Sequence, residues 1–328
     1  MTLIERLRQD PGLRPWIATL EAVDLGGFDL DVPAGSMLLD ILHDLRVPHD
    51  DIAAILAQTP QPDTDGWWLL ERSVALLRRG LGHLDKSPEF PALTDGSDPF
   101  LRYFYVHVFA TMYLQMMAWY DERGIDRNIG RRSLVDLGLH MTHHRRRRGY
   151  GGLNVNADWL SEHFTGRLFQ LGRLQFDRSA IGRTTSAELR SGGIPIGRGE
   201  PVLGVHIPDY CGPFPPSLCD ESFAMAAEFF PRHFPNERAD VVTCHSWLLD
   251  RQLADYLAPK SNILAFQRRF TINHRNVSPQ DEDFFLSVFQ SDPSNIDRLP
   301  QDTTLQRAIV EHVRAGKHWY GGVGWCRL

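Results

Sequence analysis

From residue 1 to about 150, apolar residues recur at three- and four-residue spacing, as in Met37, Leu38, Ile41, Leu42 and Leu45, and again in Leu69, Leu70, Val74, Leu77 and Leu81. That spacing lays a stripe along one face of a helix, so this part of the chain is predicted to be all-helical. The polar stretches 59–66 (TPQPDTDG) and 87–99 (SPEFPALTDGSDP) divide it into separate helices. A helix from Phe100 to Glu122 is expected at its centre. Within it, Phe104 to Tyr120 is uncharged but contains His107 and Gln115 and falls short of the roughly 20 residues a membrane span needs, so it reads as a buried core helix.

The pattern changes after the Gly/Asn-rich joint at 149–156 (GYGGLNVN). LFQLGRLQF at 168–176, bounded by Gly166 and Asp177, and PVLGVHIP at 201–208 read as strands, with the glycine-rich turn RSGGIPIGRGEP between them. A helix starting at Ser217 carries Phe223, Ala226, Ala227 and Phe230 at helical spacing. ADVVTCHSW at 239–247, RRFTINHR at 268–275 and DFFLSVFQ at 283–290 are predicted strands; 250–257 and 303–316 are predicted helices, the last ending on Gly316. The expected class is α+β: a helical domain over 1–148, then a mixed sheet flanked by helices over 149–328.

The length of 328 residues agrees with two domains at roughly 150 residues each. Hydrophobic residues at 42% and charged residues at 23% are ordinary globular values, which excludes wholesale disorder and a coiled coil. Lys plus Arg number 35 against 41 Asp plus Glu, a net 35 − 41 = −6, which argues against a surface built for nucleic acid. Cys211, Cys219, Cys244 and Cys326 have no paired spacing, so no disulfide framework or zinc knuckle is signalled, and a reducing compartment is expected. The N-terminal MTLIERLRQD has no apolar core of the signal-peptide kind, which makes the cytoplasm the expected location.

Three features can carry chemistry. VLGVHIPDYCGPFPPSLCDES couples an apolar strand to a helix start, and exposed amides at a helix N-terminus hold anions. No G-x-x-x-x-G-K-[ST] or G-x-G-x-x-G occurs there, which removes the usual support for a nucleotide triphosphate or a dinucleotide. His140, His143 and His144 have a metal-compatible helical spacing, but no acidic partner accompanies them and four arginines follow, so no metal site is expected. Arg145, Arg146, Arg147 and Arg148 either form a solvated helix end opposing the dipole or dock a phosphorylated or acidic partner.

The phrases FTGRLFQLGRLQF, LGVHIPDYCGPF, FFPRHFP, CHSWLLDRQL, KSNILAFQRRF and LPQDTTLQRAIVEHVRAGKHW resemble the bacterial acyltransferase-domain proteins that join a helical N-terminal domain to a GNAT-like C-terminal domain. The resemblance implies that PVLGVHIP is the superfamily's fourth strand, splayed from a fifth strand ADVVTCHSW, with the pantetheine arm of an acyl donor between them. It implies backbone contacts from Gly204, Val205, His206 and Ile207, and a phosphate-facing loop and helix start from Gly212 through Ser217 to Glu221. One departure stands out. The superfamily loop [QR]-x-x-G-x-[GA] is replaced by DYCGPFPPS, whose prolines lack the N–H donors a phosphate nest uses. The donor is therefore acyl-CoA or an acyl group on a carrier protein's phosphopantetheine, the carrier docking through Arg145 to Arg148.

In such a fold an acceptor amine or hydroxyl attacks the thioester directly, which needs a base, an oxyanion donor and an acid for the leaving thiolate. His206 is the first candidate base, because imidazole changes charge nearest neutral pH; its alternative role is to lock the strand end. Asp209 and Glu221 are the other candidate bases. Ser246 either protonates the thiolate or caps the following helix, and Trp247 either walls the acceptor pocket or fills core. Cys244 opens a nucleophile reading with an acyl-enzyme, and with it a thioester hydrolase. Tyr256 corresponds loosely to the superfamily's acid tyrosine, and Asn262 either touches substrate or satisfies a turn. The expected activity is acyl transfer from a pantetheine thioester to a small acceptor, without a metal. The competing class is a non-catalytic binding or scaffold protein that keeps the same shape.

Overall fold

The computed structural model describes all residues except 85–87, 94–97, 154–156, 276–277 and 291–292. The chain divides into two compact units, Met1–Phe169 and Gln170–Leu328.

The first unit is helical, as its periodicity requires. Its centre is the helix Pro99–Glu122, started by Asp98, whose carboxylate accepts from the amides of Phe100 and Leu101, with Pro99 in the first turn. Helices Gly35–Asp44, His49–Ala57, Asp65–Gly80, Arg127–Leu134 and Ala157–Phe164 all contact it, which is why it is apolar on nearly every face. Among the described residues no helix is long and apolar enough to cross a membrane. His107 is buried on this central helix, and burial drives its pKa down to about 4. The helix Asp136–Arg148 ends on the left-handed Gly149, with the four arginines in its last turn, where cations oppose the dipole.

The second unit is built on a six-stranded sheet of β1 (Leu168–Leu171), β2 (Leu174–Ala180), β3 (Pro201–His206), β4 (Val241–Ser246), β5 (Thr271–Arg275) and β6 (Gly322–Arg327), in the order β1-β2-β3-β4-β6-β5. β2 pairs antiparallel with β3, β3 parallel with β4, and β6 antiparallel with both β4 and β5. The sheet is therefore mixed, as expected. The single strand expected at 168–176 is a hairpin, because Gly172 at φ +66° turns the chain between β1 and β2. The long helix Pro216–His233 lies on one sheet face, with Phe223 and Phe230 stacked edge-on against Phe176 at 5.4 and 6.5 Å. On the other face the helix Arg183–Ser191, which the glycine-rich sequence around it conceals, closes a cluster of Ile181, Leu189, Ile194, Ile196, Val202 and Val241.

Three expectations are corrected. The run 283–290 is not a strand but the helix Asp281–Phe289. Phe284, Phe285, Val288 and Phe289 recur at helical spacing, and Asp281, Glu282 and Asp283 complement the dipole of its first turn. The predicted helix 250–257 is a short 3₁₀ turn, Arg251–Asp255, preceded by another at Trp247–Leu249. Strand β6 was not predicted because its glycines weaken any β signal. They are there for space: a Cβ on Gly322 would meet Leu249 Cβ at 2.5 Å, and one on Gly324 would meet Phe270 Cβ at 2.8 Å.

Candidate active site

The parallel pairing of β3 and β4 runs through Leu203 opposite Val242 and Gly204 opposite Thr243 and, among the described residues, goes no further. Both strands continue past that point, to His206 and Ser246. Their C-terminal ends therefore border an opening in the middle of the sheet, beyond the last β3–β4 pair, while β2 and β6 continue to pair with them on the outer sides.

On one side of this opening the side chains form a polar row. Asp177 of β2 stands opposite Gly204, which stands opposite Thr243, so all three positions share a sheet face. His206 and His245, two residues further along each strand, fall on the same face. Together they line a cavity of about 350 Å³ that also touches Gly182 and Thr185. His206 Nε2 lies 2.7 Å from Asp177 Oδ1, with the histidine half-buried and the carboxylate largely covered. With Nε2–H donating to the carboxylate, Nδ1 is the acceptor nitrogen of the neutral ring, and the bond fixes the ring's direction. Gly204 makes this possible. A Cβ there would sit 1.9 Å from Asp177 Oδ1, in the space through which the carboxylate reaches across to His206. Beside the pair, Gln175 stands opposite His206 and donates to Tyr210 at 3.2 Å, and Tyr210 donates to Gln170 at 3.2 Å.

After β3 the chain passes through a 3₁₀ turn, Asp209–Cys211, and the proline-rich loop to the helix Pro216–His233. Gly212 takes φ +70°, and Pro215 and Pro216 occupy the cap and first helical positions. Ser217 is exposed in the first turn and Glu221 is exposed one turn on; Asp209 is exposed and accepts from Gln290 at 3.3 Å. The loop is held from beneath by Arg173 of the β1–β2 turn, which sequence reasoning did not single out. Its Nη2 donates to the Gly212 carbonyl at 2.6 Å and its Nε to the Pro213 carbonyl at 3.2 Å.

The β4 candidates have other occupations. Cys244 is buried and alternates to the sheet face away from Thr243 and His245, and burial pushes its thiol pKa far up, the opposite of what a nucleophile needs. The Ser246 hydroxyl accepts from the Leu248 amide at 3.1 Å as the cap of the next turn. Trp247 is half-buried with its ring 4.9 Å from that of Phe284, in the core cluster around Trp319. Tyr256 donates its phenol proton to His312 Nδ1 at 2.9 Å, while His312 Nε2 donates to the His318 carbonyl at 3.2 Å. Asn262 opens a short helix capped by Ser261. Ile207, just past β3, is half-buried, and Val205 is buried.

In the first unit, Arg145 pairs at 2.5 Å with Asp51, a wholly buried carboxylate that also accepts from Tyr103, while Arg146, Arg147 and Arg148 are exposed. His144 is buried, and among the described residues no group of three or more potential metal ligands occurs.

The mixed sheet with a parallel pair parting at its C-terminal ends matches the arrangement that the sequence resemblance implied. Comparison with known proteins gives the same class. Residues 37–166 match the N-acyltransferase N-terminal domain, and residues 168–326 match the GNAT-like C-terminal domain. Among solved structures, an acyltransferase in complex with decanoyl-CoA and teicoplanin is 34% identical over 100% of both chains, with a TM-score of 0.89. An acyltransferase with CoA and 10C-teicoplanin is 33% identical over 100% of both chains, again at 0.89. A point mutant of an acyltransferase in complex with octanoyl-CoA is 33% identical over 99% of each chain, also at 0.89. No curated protein matches the sequence. The chain belongs to the acyltransferase family that joins an N-acyltransferase N-terminal domain to a GNAT-like C-terminal domain.

Proposed function

We propose that this enzyme transfers a medium-length acyl group from CoA to an amine of a polar small molecule of the teicoplanin class, and that His206 is the base. The observation that carries the reading is the 2.7 Å contact between His206 Nε2 and Asp177 at the place where β3 and β4 part. A donor thioester laid in the opening presents its carbonyl to the end of β3 beyond its last pair with β4, where a backbone N–H is suited to a developing oxyanion. The acceptor amine attacks the thioester carbon. The N–C bond forms, the C–S bond breaks, the amine's proton passes to His206 Nδ1, and the CoA thiolate takes up a proton to leave as the thiol. Asp177 stabilises the imidazolium that forms.

CoA and acyl-CoA are what the similar solved structures hold, and teicoplanin is the acceptor in one of them. A carrier-protein donor has less support, because the similar solved structures hold CoA or acyl-CoA. The phosphates of CoA fit the start of the helix Pro216–His233. Pro213, Pro215 and Pro216 offer no donors there, but Phe214, Ser217 and Leu218 keep their N–H groups.

The test is thiol release from decanoyl-CoA with glycopeptide amines, set against binding without turnover. His206→Ala is expected to lower kcat by about 10²- to 10⁴-fold and Asp177→Asn by about tenfold to a hundredfold, with CoA affinity retained. Unchanged kcat in His206→Ala would remove the base from the mechanism. Binding of both ligands by the wild type without acyl transfer would replace the enzyme reading with a binding protein.

A further inference from the structure

The loop that follows β3 lacks the glycine-rich phosphate motif, yet it is held in one conformation. Arg173, only 6% exposed, lies beneath it and donates Nη2 to the Gly212 carbonyl and Nε to the Pro213 carbonyl. In a trans peptide the C=O and N–H point in opposite directions, so fixing the Pro213 carbonyl on Arg173 turns the Phe214 N–H to the side away from it. The guanidinium lies 5.5 Å from the Phe214 ring centroid, which secures the same residue by its side chain. Its third nitrogen, Nη1, is buried and has no hydrogen-bond partner among the described residues, and the Asp209 carboxylate acts on the guanidinium only through space. An arginine buried chiefly against carbonyl dipoles leaves part of its charge uncompensated beneath the loop.

The turn that carries Arg173 is fixed to the helix that the loop enters. The amides of Arg173 and Leu174 donate to Ser222 Oγ at 2.8 and 3.2 Å, and Ser222 donates to the Leu218 carbonyl at 2.8 Å. Gly172 is required at this junction, since a Cβ on it would stand 2.8 Å from Ser222 Oγ. One residue thus ties β-turn, loop and helix start together. Burial also works against the charge of the arginine, lowering its pKa.

We propose that Arg173 is the positioning residue of the donor's phosphate site, doing through carbonyl bonds and buried charge what glycine amides do where that motif is present. This rests on the proposal that CoA phosphates meet the start of the helix Pro216–His233. The experiment compares binding of decanoyl-CoA with that of S-decanoyl-pantetheine, which has the same thioester and no phosphates, by calorimetry on the wild type and on Arg173→Met and Arg173→Lys. The wild type is expected to bind decanoyl-CoA far more tightly. Arg173→Met is expected to weaken decanoyl-CoA by about tenfold to a hundredfold while changing the pantetheine thioester less than about threefold. Arg173→Lys keeps the charge and loses the fork, and is expected to fall between; it also supplies the test if the methionine variant does not fold. Equal weakening of both donors, or an unchanged preference in both variants, overturns the proposal. A wild type with no preference for decanoyl-CoA would instead remove the phosphate site itself, and Arg173's role with it.

Discussion

Gly204 is where the candidate catalytic pair is decided at the scale of one residue. Any side chain there would occupy the path of the Asp177 carboxylate, 1.9 Å from its Oδ1, and no rotation of a Cβ relieves that. Gly204→Ala should therefore part Asp177 from His206 while leaving the strand in place. The expected result is a kcat reduced by about tenfold to a hundredfold, close to Asp177→Asn, with little change in CoA affinity. Steady-state kinetics on the single variants and on Gly204→Ala combined with Asp177→Asn checks this. The double variant should be no worse than the worse single one, because both act through one contact. Sequence reading found His206 but not Asp177, since the two are 29 residues apart and meet only through the β2–β3 register. In LFQLGRLQFD, Asp177 is one polar residue among several and reads as the boundary of the strand, so nothing local marks it.

At the scale of an element, the central helix Pro99–Glu122 shows how much a hydrophobic pattern settles and what it conceals. Its limits were legible within a residue, because an uncharged run with an Asp–Pro start has few alternatives. The state of His107 was not legible, since burial on every face depends on which helices surround it. That burial sets a pH dependence. A histidine held at a pKa of about 4 when folded and free to protonate near 6.5 when unfolded leaves the unfolded chain binding more protons between those values. Stability is thus complete above about pH 6.5 and falls as pH drops toward 4, by about 2 kcal/mol at pH 5 from this residue. Urea unfolding at pH 7 and pH 5 should show that loss in the wild type and a smaller one in His107→Leu; equal losses would remove His107 as the cause. The helix Asp281–Phe289 is the opposite case. Paired phenylalanines read as a strand until the acids before them are counted as a helix start.

For the whole molecule, the sheet order places an imidazole–carboxylate pair at the opening and gives both the candidate nucleophile Cys244 and the candidate acid Ser246 another task. Cys244 is buried on the far face with its thiol pKa pushed far up, and Ser246 caps a turn. Both roles depend on alternation along β4 and on where its pairing with β3 ends, facts of topology rather than of local sequence, which is why the linear reading left them open. With the Cys244 thiol turned away from the opening and the Ser246 hydroxyl capping a turn, the expected route is direct passage of the acyl group between two substrates bound together. Initial rates measured over both substrates should then give intersecting double-reciprocal lines. Cys244→Ala should keep kcat within about threefold, its cost appearing as a loss of about 1 kcal/mol or more in stability from the buried volume removed. Parallel lines, or a protein mass raised by one acyl group after exposure to decanoyl-CoA alone, would require a covalent intermediate. If that mass shift vanished in Cys244→Ala, the thiol would have to become accessible during turnover, and the direct-transfer mechanism would fall.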